Sequence, residues 1–511
     1  MGVDRRTFLG GLVAGTAVGP VALGATACSA AQGSSADPIN VVDAFGFVPD
    51  GRTDNYEAFL RLARAASGSR NRHYLFPPGT YYVHRYRTPA TFRKGGGGPI
   101  IAQYFDASDL TFSGAGAKIV LNGAFHRGPG EGRFNSAFMP FDFWRCRNIR
   151  IRGFEIDGGV RSMTRDDSTT EIYSHLIALN GCIGVTLEDL DLHHSQTDGV
   201  YLYSAGRSST RAGTACRDVT LRRVTCRNNA RGGFAPLQVQ NLVATDCVFS
   251  GNGTDLGRYR HHAPGFGVDV EPDAWAPTTI DVLTGNLEFR RCRLDNNFSA
   301  FLAAYPSRYR GYLRLIDCTS SNRLNGTNHI IISWPGALLQ GGRHDAGQGT
   351  VWTSWQNERG SDVIVRDTEI RVSGLYGLFH PFGGNLLTLE RTRLIGTHRK
   401  AGTHGWVLAI QADPGGRRRN RLSGCEIVIP AARHAASPNY DYEVSLRHTV
   451  SEGNLFRTDL PARGNAHFAV DYGVGASARR DRFQGSASGP ADGFRPWANA
   501  NHDTRTPFSK E

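Results

Sequence analysis

Val185-Thr-Leu-Glu-Asp-Leu-Asp-Leu192 and Val219-Thr-Leu-Arg-Arg-Val-Thr-Cys226 share one pattern. An apolar residue is followed by two polar ones, then an apolar residue or cysteine, one polar residue, and an apolar residue. The pattern recurs at Ile151/Phe154/Ile156, Ala244/Cys247/Phe249, Phe289/Cys292/Leu294, Val365/Thr368/Ile370, Leu389/Thr392/Leu394 and Leu422/Cys425/Ile427, with a degenerate copy at Leu315/Cys318. Leu221 and Ala244 lie 23 residues apart and Phe289 and Leu315 lie 26 apart. Second strand-like runs fall between copies: Asp198-Gly-Val-Tyr-Leu-Tyr203, Gly267-Val-Asp-Val-Glu271 and Asn328-His-Ile-Ile-Ile-Ser333. Each unit is thus two or three short period-two strands joined by turns. One unit cannot bury its apolar face alone, so the units stack into a solenoid. A propeller blade needs roughly twice this repeat length. The expected fold is all-β, a parallel β-helix.

Composition agrees. The chain has 511 residues with 62 glycines, 40% apolar and 20% charged residues, which excludes a coiled coil and a disordered chain. The formal charge of +12 permits an acidic substrate, but lysine stands only at positions 94, 118, 400 and 510, so arginine supplies almost all of it. Nucleic-acid binding would want basic runs interleaved with aromatics on one surface, and Arg417-Arg-Arg419 reads instead as a solvated turn.

The N-terminal region differs from the repeats. Asp4-Arg5-Arg6-Thr7-Phe8-Leu9, followed by an uncharged Gly/Ala-rich stretch, reads as a twin-arginine export signal. The expected location is therefore extracytoplasmic, with a membrane attachment only through a lipid on Cys28. The eight later cysteines include no C-x-x-C pair, and six fall within the strand pattern. They read as small apolar core residues rather than disulfides. Val41-Val-Asp-Ala-Phe-Gly46 reads as a strand and turn. Thr53 then caps an amphipathic helix bearing Tyr56, Phe59, Leu60 and Ala63, and Tyr74 to Val83 reads as strand, Pro-Gly turn, strand. A helix placed before a solenoid covers its open apolar end.

The run VVDAFGFVPDGRTDN, the helix, and then YLFPPGTYYV resemble the opening segment of the pectate-lyase-like superfamily, with Pro49 departing from its usual glycine. That resemblance covers about 45 residues and the repeats extend it. It implies a right-handed parallel β-helix with an N-terminal capping helix, acting on polysaccharide as a lyase, glycoside hydrolase or epimerase. The organisation expected is a signal peptide and linker over 1–36, cap and first strands over 37–100, β-helix over 101–450, and a C-terminal cap or tail over 451–511.

Residues two apart in a strand share a face about 6.5–7 Å apart. In Val268-Asp269-Val270-Glu271 the valines point inward and both carboxylates outward, with Asp273 just beyond. One or two coils earlier, Tyr201 and Tyr203 share the outer face, Asp198 precedes them and His194 lies upstream. Arg231 falls in the coil between. Stacking therefore predicts a column of His194 and Asp198, then Arg231, then Asp269 and Glu271, with His261 and His262 on a neighbouring loop. Asp269, Glu271, Arg231, Asp198 and His194 are the candidate catalytic residues; Tyr201, Tyr203, His261, His262 and Asp273 would contact sugar.

Three functions suit this column. β-Elimination on a uronate-containing polymer, slightly favoured by the basic charge and the family resemblance, needs a base such as His194 or Tyr201. It also needs a cation to neutralise the uronate: Arg231, or calcium held by Asp198, Asp269 and Glu271. The expected cofactor is accordingly none or calcium. Inverting hydrolysis would use Asp269 and Glu271 across the scissile bond. A non-catalytic carbohydrate-binding β-helix would use the column only to hold sugar.

Overall fold

The computed structural model describes residues 37–84, 102–121, 139–162, 174–205, 214–261, 265–271, 284–303, 309–322, 328–347, 349–353, 362–372, 376–380, 386–396, 404–410, 419–430, 441–458, 467–471 and 475–485. The export motif, Cys28, His262 and Asp273 lie outside them.

The chain folds as a right-handed parallel β-helix. Among the described residues every pairing between strands is parallel, in one ladder of 26 strands and a second of 13. The repeat is the reason. Leu187, Leu190 and Leu192 pair with Leu221, Val224 and Cys226 of the next coil. Leu221 and Cys226 pair in turn with Ala244 and Phe249. Like residues therefore stack on like residues, and the pattern becomes apolar columns inside the coil. The two polar residues of each unit mark a corner. Asp189, Arg223, Asp246 and Arg291 occupy it in succession, each with positive φ. Side chains from adjacent coils then pair along it, Arg223 with Asp189 and Arg291 with Asp246.

All eight cysteines in the described residues are free and buried, as the apolar reading requires. The Asp295-Asn-Asn297 turn also acts inside the coil: Asn229, Asn252 and Asn297 form a buried hydrogen-bonded ladder.

The N-terminal segment departs from expectation in two details. Val41–Phe45 is a short helix, not a strand, stopped by Gly46 at φ 66°. Thr53 does not cap the next helix, Tyr56–Ala66; its hydroxyl and amide bond Asp50, and Asn55 holds the N-cap position. The Asn55 amide instead ties the preceding loop together through Val48 and Tyr82. Tyr56, Phe59 and Ala63 are buried as expected, but Leu62 rather than Leu60 completes the buried face. Phe59 packs edge-on against Phe47 and reaches Phe141 of the coil interior, so the helix meets the aromatic start of the core. At the other end the ladder runs past residue 450, with Leu455–Thr458 pairing onto Arg482–Gly485.

Candidate functional site

The site is built on the outer face of the 13-strand ladder. In Asp198–Tyr203, Val200 and Leu202 enter the core while Tyr201 and Tyr203 face outward. Asp198 pairs with Gly232, and Phe234 pairs with Val268. This register sets Arg231 beside Thr197 and Asp269 on the same outer line as Tyr201, two coils away. Val268 and Val270 are buried in the core, as the alternation requires.

Three predicted residues meet. Arg231 Nη1 donates to Asp198 Oδ2 at 2.7 Å, and Nη2 reaches Asp269 Oδ2 at 3.4 Å. The side chains of Asp198 and Asp269 are 1% and 2% exposed, and that of Arg231 12%. Gly232 makes the arrangement possible: a Cβ there would lie 2.6 Å from Asp198 Oδ1. A residue not foreseen completes the cluster. His175 Nδ1 lies 3.2 Å from Asp198 Oδ2, and its ring stacks on Tyr201 with centroids 4.1 Å apart and planes 7° apart. Burial lowers the His175 pKa and Arg231 adds to this, while Asp198 opposes both. Its signal was legible: His175 precedes Asp198 by 23 residues, the spacing of the closest repeats.

The other predicted residues are placed differently. His194 does not join the column. It sits at the turn after Ile183–His193, with its Nδ1 against His193 Nδ1 at 2.7 Å and Asp157 Oδ1 at 3.7 Å. The sequence adjacency misled because His194 adopts φ 55°, which swings the chain at the corner. Glu271 follows the strand Phe266–Val270 and is half-buried. His261 bonds Asp255 Oδ1 at 2.8 Å and stacks on Phe298. Its loop folds back toward the site, because Tyr259 donates its hydroxyl to the carbonyl of Gln196 at 3.3 Å.

Apolar residues flank the charged group on the same outer face. Tyr201, Ala178, Ala235, Leu237 and Met139 cluster on one side, with Tyr203 against them. Phe266, Leu302 and Ile331 cluster on the other, with Trp352 against them. Down the line from Tyr201 sits Asp142, also unforeseen. It accepts from Gln103 Nε2, Trp144 Nε1 and Asn180 Nδ2, and burial raises its pKa to about 6 despite those donors. Apolar and aromatic side chains stacked in line with polar groups on one outer face are suited to pyranose rings.

No family model matches the chain. Over 302 residues it is 22% identical to an uncharacterised protein of Bacillus subtilis, YclG. The match takes in 56% of the chain and spans 45% of that protein's length. Among solved structures it is similar to the tailspike of E. coli bacteriophage HK620, a double mutant in complex with a pentasaccharide. The TM-score there is 0.50 at 11% identity, covering 88% of this chain and 78% of that one. It also aligns with the A-module of the mannuronan C-5 epimerase AlgE6 of Azotobacter vinelandii, at TM-score 0.44 and 15% identity over 90% of this chain and 99% of that one. The likeness to the tailspike concerns the fold alone.

Proposed function

We propose that this protein is a secreted, polysaccharide-cleaving β-helix enzyme that hydrolyses its substrate on the outer face that carries Asp198, Arg231 and Asp269. The observation that carries the proposal is the meeting of these three buried residues, from separate coils, between two apolar clusters stacked along the same outer face. The tailspike with the same fold is seen with a pentasaccharide, which favours a glycan as ligand.

Charge decides between the chemistries. Hydrolysis starts with Asp198 ionised and Asp269 protonated beside the Arg231 guanidinium and a neutral His175, and the cluster turns negative as Asp269 releases its proton. Glycoside hydrolysis passes through an oxocarbenium-like, positively charged state that such a site stabilises. Asp198, with Arg231 and His175 on its Oδ2, suits the base that activates water. Asp269, which Arg231 reaches only at 3.4 Å, then protonates the leaving oxygen. Arg231 already supplies the positive charge that calcium would bring between Asp198 and Asp269, and no step here runs through the metal.

A second reading rests on the His175–Asp198 pair. An Nδ1–H directed at Asp198 leaves His175 Nε2 as a lone pair, able to take the proton beside a uronate carboxylate, with Arg231 turning to that carboxylate. A polysaccharide panel read for new reducing ends and for ultraviolet absorbance of an unsaturated uronate separates the two. Reducing ends without absorbance, lost in Asp269→Asn and Asp198→Asn, support hydrolysis. Both signals together assign elimination and make His175 the residue to change. Sugar binding without either signal, retained in Asp269→Asn, leaves a carbohydrate-binding protein and ends the enzymatic proposal.

A further inference from the structure

Asp157, His193 and His194 converge apart from the Asp198–Arg231–Asp269 cluster, at the corner where two coils leave the long ladder. Among the described residues they are the one group of three that offers ligand atoms within 4.8 Å of one another. The ladder explains the placement. His193 pairs directly with Asp157 of the preceding coil, and Asp191 with Glu155. The backbone then locks the corner. Gly158 donates to the carbonyl of His193 at 2.8 Å, Val160 to that of His194 at 3.1 Å, and Gly159 to Asp157 Oδ1 at 2.9 Å. A Cβ on Gly158 would lie 2.5 Å from the His194 carbonyl oxygen, so the two turns touch at their closest possible approach.

We propose that Asp157 Oδ1, His193 Nδ1 and His194 Nδ1 bind one divalent transition-metal ion of the zinc class. The two Nδ1 atoms lie 2.7 Å apart, and Asp157 Oδ1 lies 3.8 Å and 3.7 Å from them. These separations average about 3.4 Å, and ligand atoms around a tetrahedral zinc with bonds of about 2.05 Å stand roughly 3.3 Å apart. The set requires the imidazoles to part by about half an ångström and the carboxylate to close by a similar distance, within side-chain torsion.

Glu155 prepares one of the ligands. Glu155 Oε1 lies 3.1 Å from His193 Nε2 and Lys118 holds the same carboxylate at 2.7 Å. An Nε2–H donated to Glu155 leaves the His193 Nδ1 lone pair directed at the centre, the arrangement by which a carboxylate orients a metal-bound histidine. With His193 Nδ1 the acceptor, the 2.7 Å contact between the two Nδ1 atoms is closed by the proton on His194 Nδ1, and an ion binds by taking that proton's place as His194 changes tautomer to carry it on Nε2. The nearest coil above presents Arg227, but its guanidinium is turned to Asp191 at 2.7 Å and 2.9 Å. Imidazole and carboxylate donors suit zinc, cobalt, nickel and copper better than calcium or magnesium. An ion here joins two successive coils, and its expected effect is on stability.

The test uses the full chain, purified without a histidine tag, stripped with chelator and dialysed against zinc chloride alone. Wild type should retain one equivalent more zinc than His194→Asn, and zinc should raise the Tm of wild type only. Asparagine tolerates the left-handed backbone at position 194, so this variant removes the imidazole without adding strain. His193→Gln and Asp157→Asn should each weaken zinc binding at least tenfold. Glu155→Gln, which leaves all three ligands in place, should weaken it by about 10- to 100-fold. Equal zinc retention by wild type and His194→Asn, or a wild-type Tm that zinc does not move, overturns the proposal. Neither readout depends on polysaccharide cleavage.

Discussion

Asp198 Oδ2 lies 2.7 Å from Arg231 Nη1, and the same guanidinium extends to Asp269 at 3.4 Å, so one cation is shared by two buried carboxylates on different coils. Removing it takes from both acids the guanidinium they share. Breaking a buried pair this way costs about 3–5 kcal/mol, because an uncompensated charge remains. Arg231→Ala should therefore lower the urea midpoint strongly, and adding Asp198→Asn and Asp269→Asn should recover much of the loss. Arg231→Lys keeps the charge but not the fork that reaches two acids, and it should fall between. A triple variant no more stable than Arg231→Ala would mean that the arginine acts through packing of its stem instead.

Gly232 offers a test of geometry with little effect on the core. Its Cβ would fall 2.6 Å from Asp198 Oδ1, closer than real contacts allow. The methyl group in Gly232→Ala must displace the carboxylate, and a shift near 1 Å at a reacting group costs on the order of 100-fold in rate. We expect kcat to drop by about that factor on the cleaved polymer, with a Tm change of a few degrees at most. A large Tm loss with kcat intact in the surviving protein would place the strain in the coil and not in the site.

The fold was legible because it is periodic. The six-residue pattern fixes which side chains enter the coil, and stacking in register follows, as Leu187 on Leu221 and Leu221 on Ala244 show. Periodicity also carried Arg231 onto the line between Asp198 and Asp269. It failed at corners. His194 stands four residues before Asp198, yet its positive φ sends it to Asp157 and His193. A hexad of alternating polarity contains nothing that reports such a turn. His175 was missed although it stands 23 residues before Asp198, because the strand it precedes, Ile177–Asn180, carries no charged or aromatic residue to mark its outer face. Asp142 likewise stands in a short aromatic run, Phe141–Trp144, that reads as core. The helix over Val41–Phe45 depended on an asparagine side chain bonding a backbone amide two residues on, a local contact that apolar patterning does not encode.

A pair of histidines inside the coil should make the protein acid-labile. Ser320 Oγ bonds His329 Nε2 at 2.7 Å and His344 Nδ1 at 2.8 Å, all three buried. Burial lowers His329 to about 3 and His344 to about 4, from an ordinary 6.5. The unfolded chain thus takes up protons below pH 6.5 while the folded chain does not. Stability is complete above that pH and is lost as pH falls toward 4 and then 3, by on the order of 3 kcal/mol for each histidine by pH 4. His344→Gln keeps a hydrogen-bonding side chain but cannot titrate. It should be less stable than wild type at pH 7, with the deficit shrinking steadily down to pH 4. Urea midpoints at several pH values measure this; a constant deficit would show that His344 does not contribute to the acid transition.

The asparagine ladder should be sensitive to the sense of its hydrogen bonds. Asn252 Oδ1 accepts from the amide and Nδ2 of Asn229, both at 3.0 Å. Its Nδ2 donates to the Cys226 carbonyl at 3.1 Å and to Asn297 Oδ1 at 2.9 Å. Asn297 Nδ2 donates onward to the Phe249 carbonyl, and Asn229 Oδ1 accepts from the amide of Ser195, so the chain of bonds runs through four coils in one direction. Asn252→Ala removes the middle and leaves buried groups unpaired, each costing about 1–3 kcal/mol. Asn252→Asp keeps the shape but sets an acceptor against the Asn297 and Cys226 oxygens, in a dry interior where such a clash is strengthened. The aspartate variant should therefore be less stable at pH 7 than the alanine variant, although it is closer in size to the native residue. Lowering the pH should narrow the gap, because a protonated carboxyl regains one donor. Packing alone predicts the opposite order, with alanine worse at every pH, so the rank of the two midpoints at pH 7 decides whether polarity or volume holds these coils together.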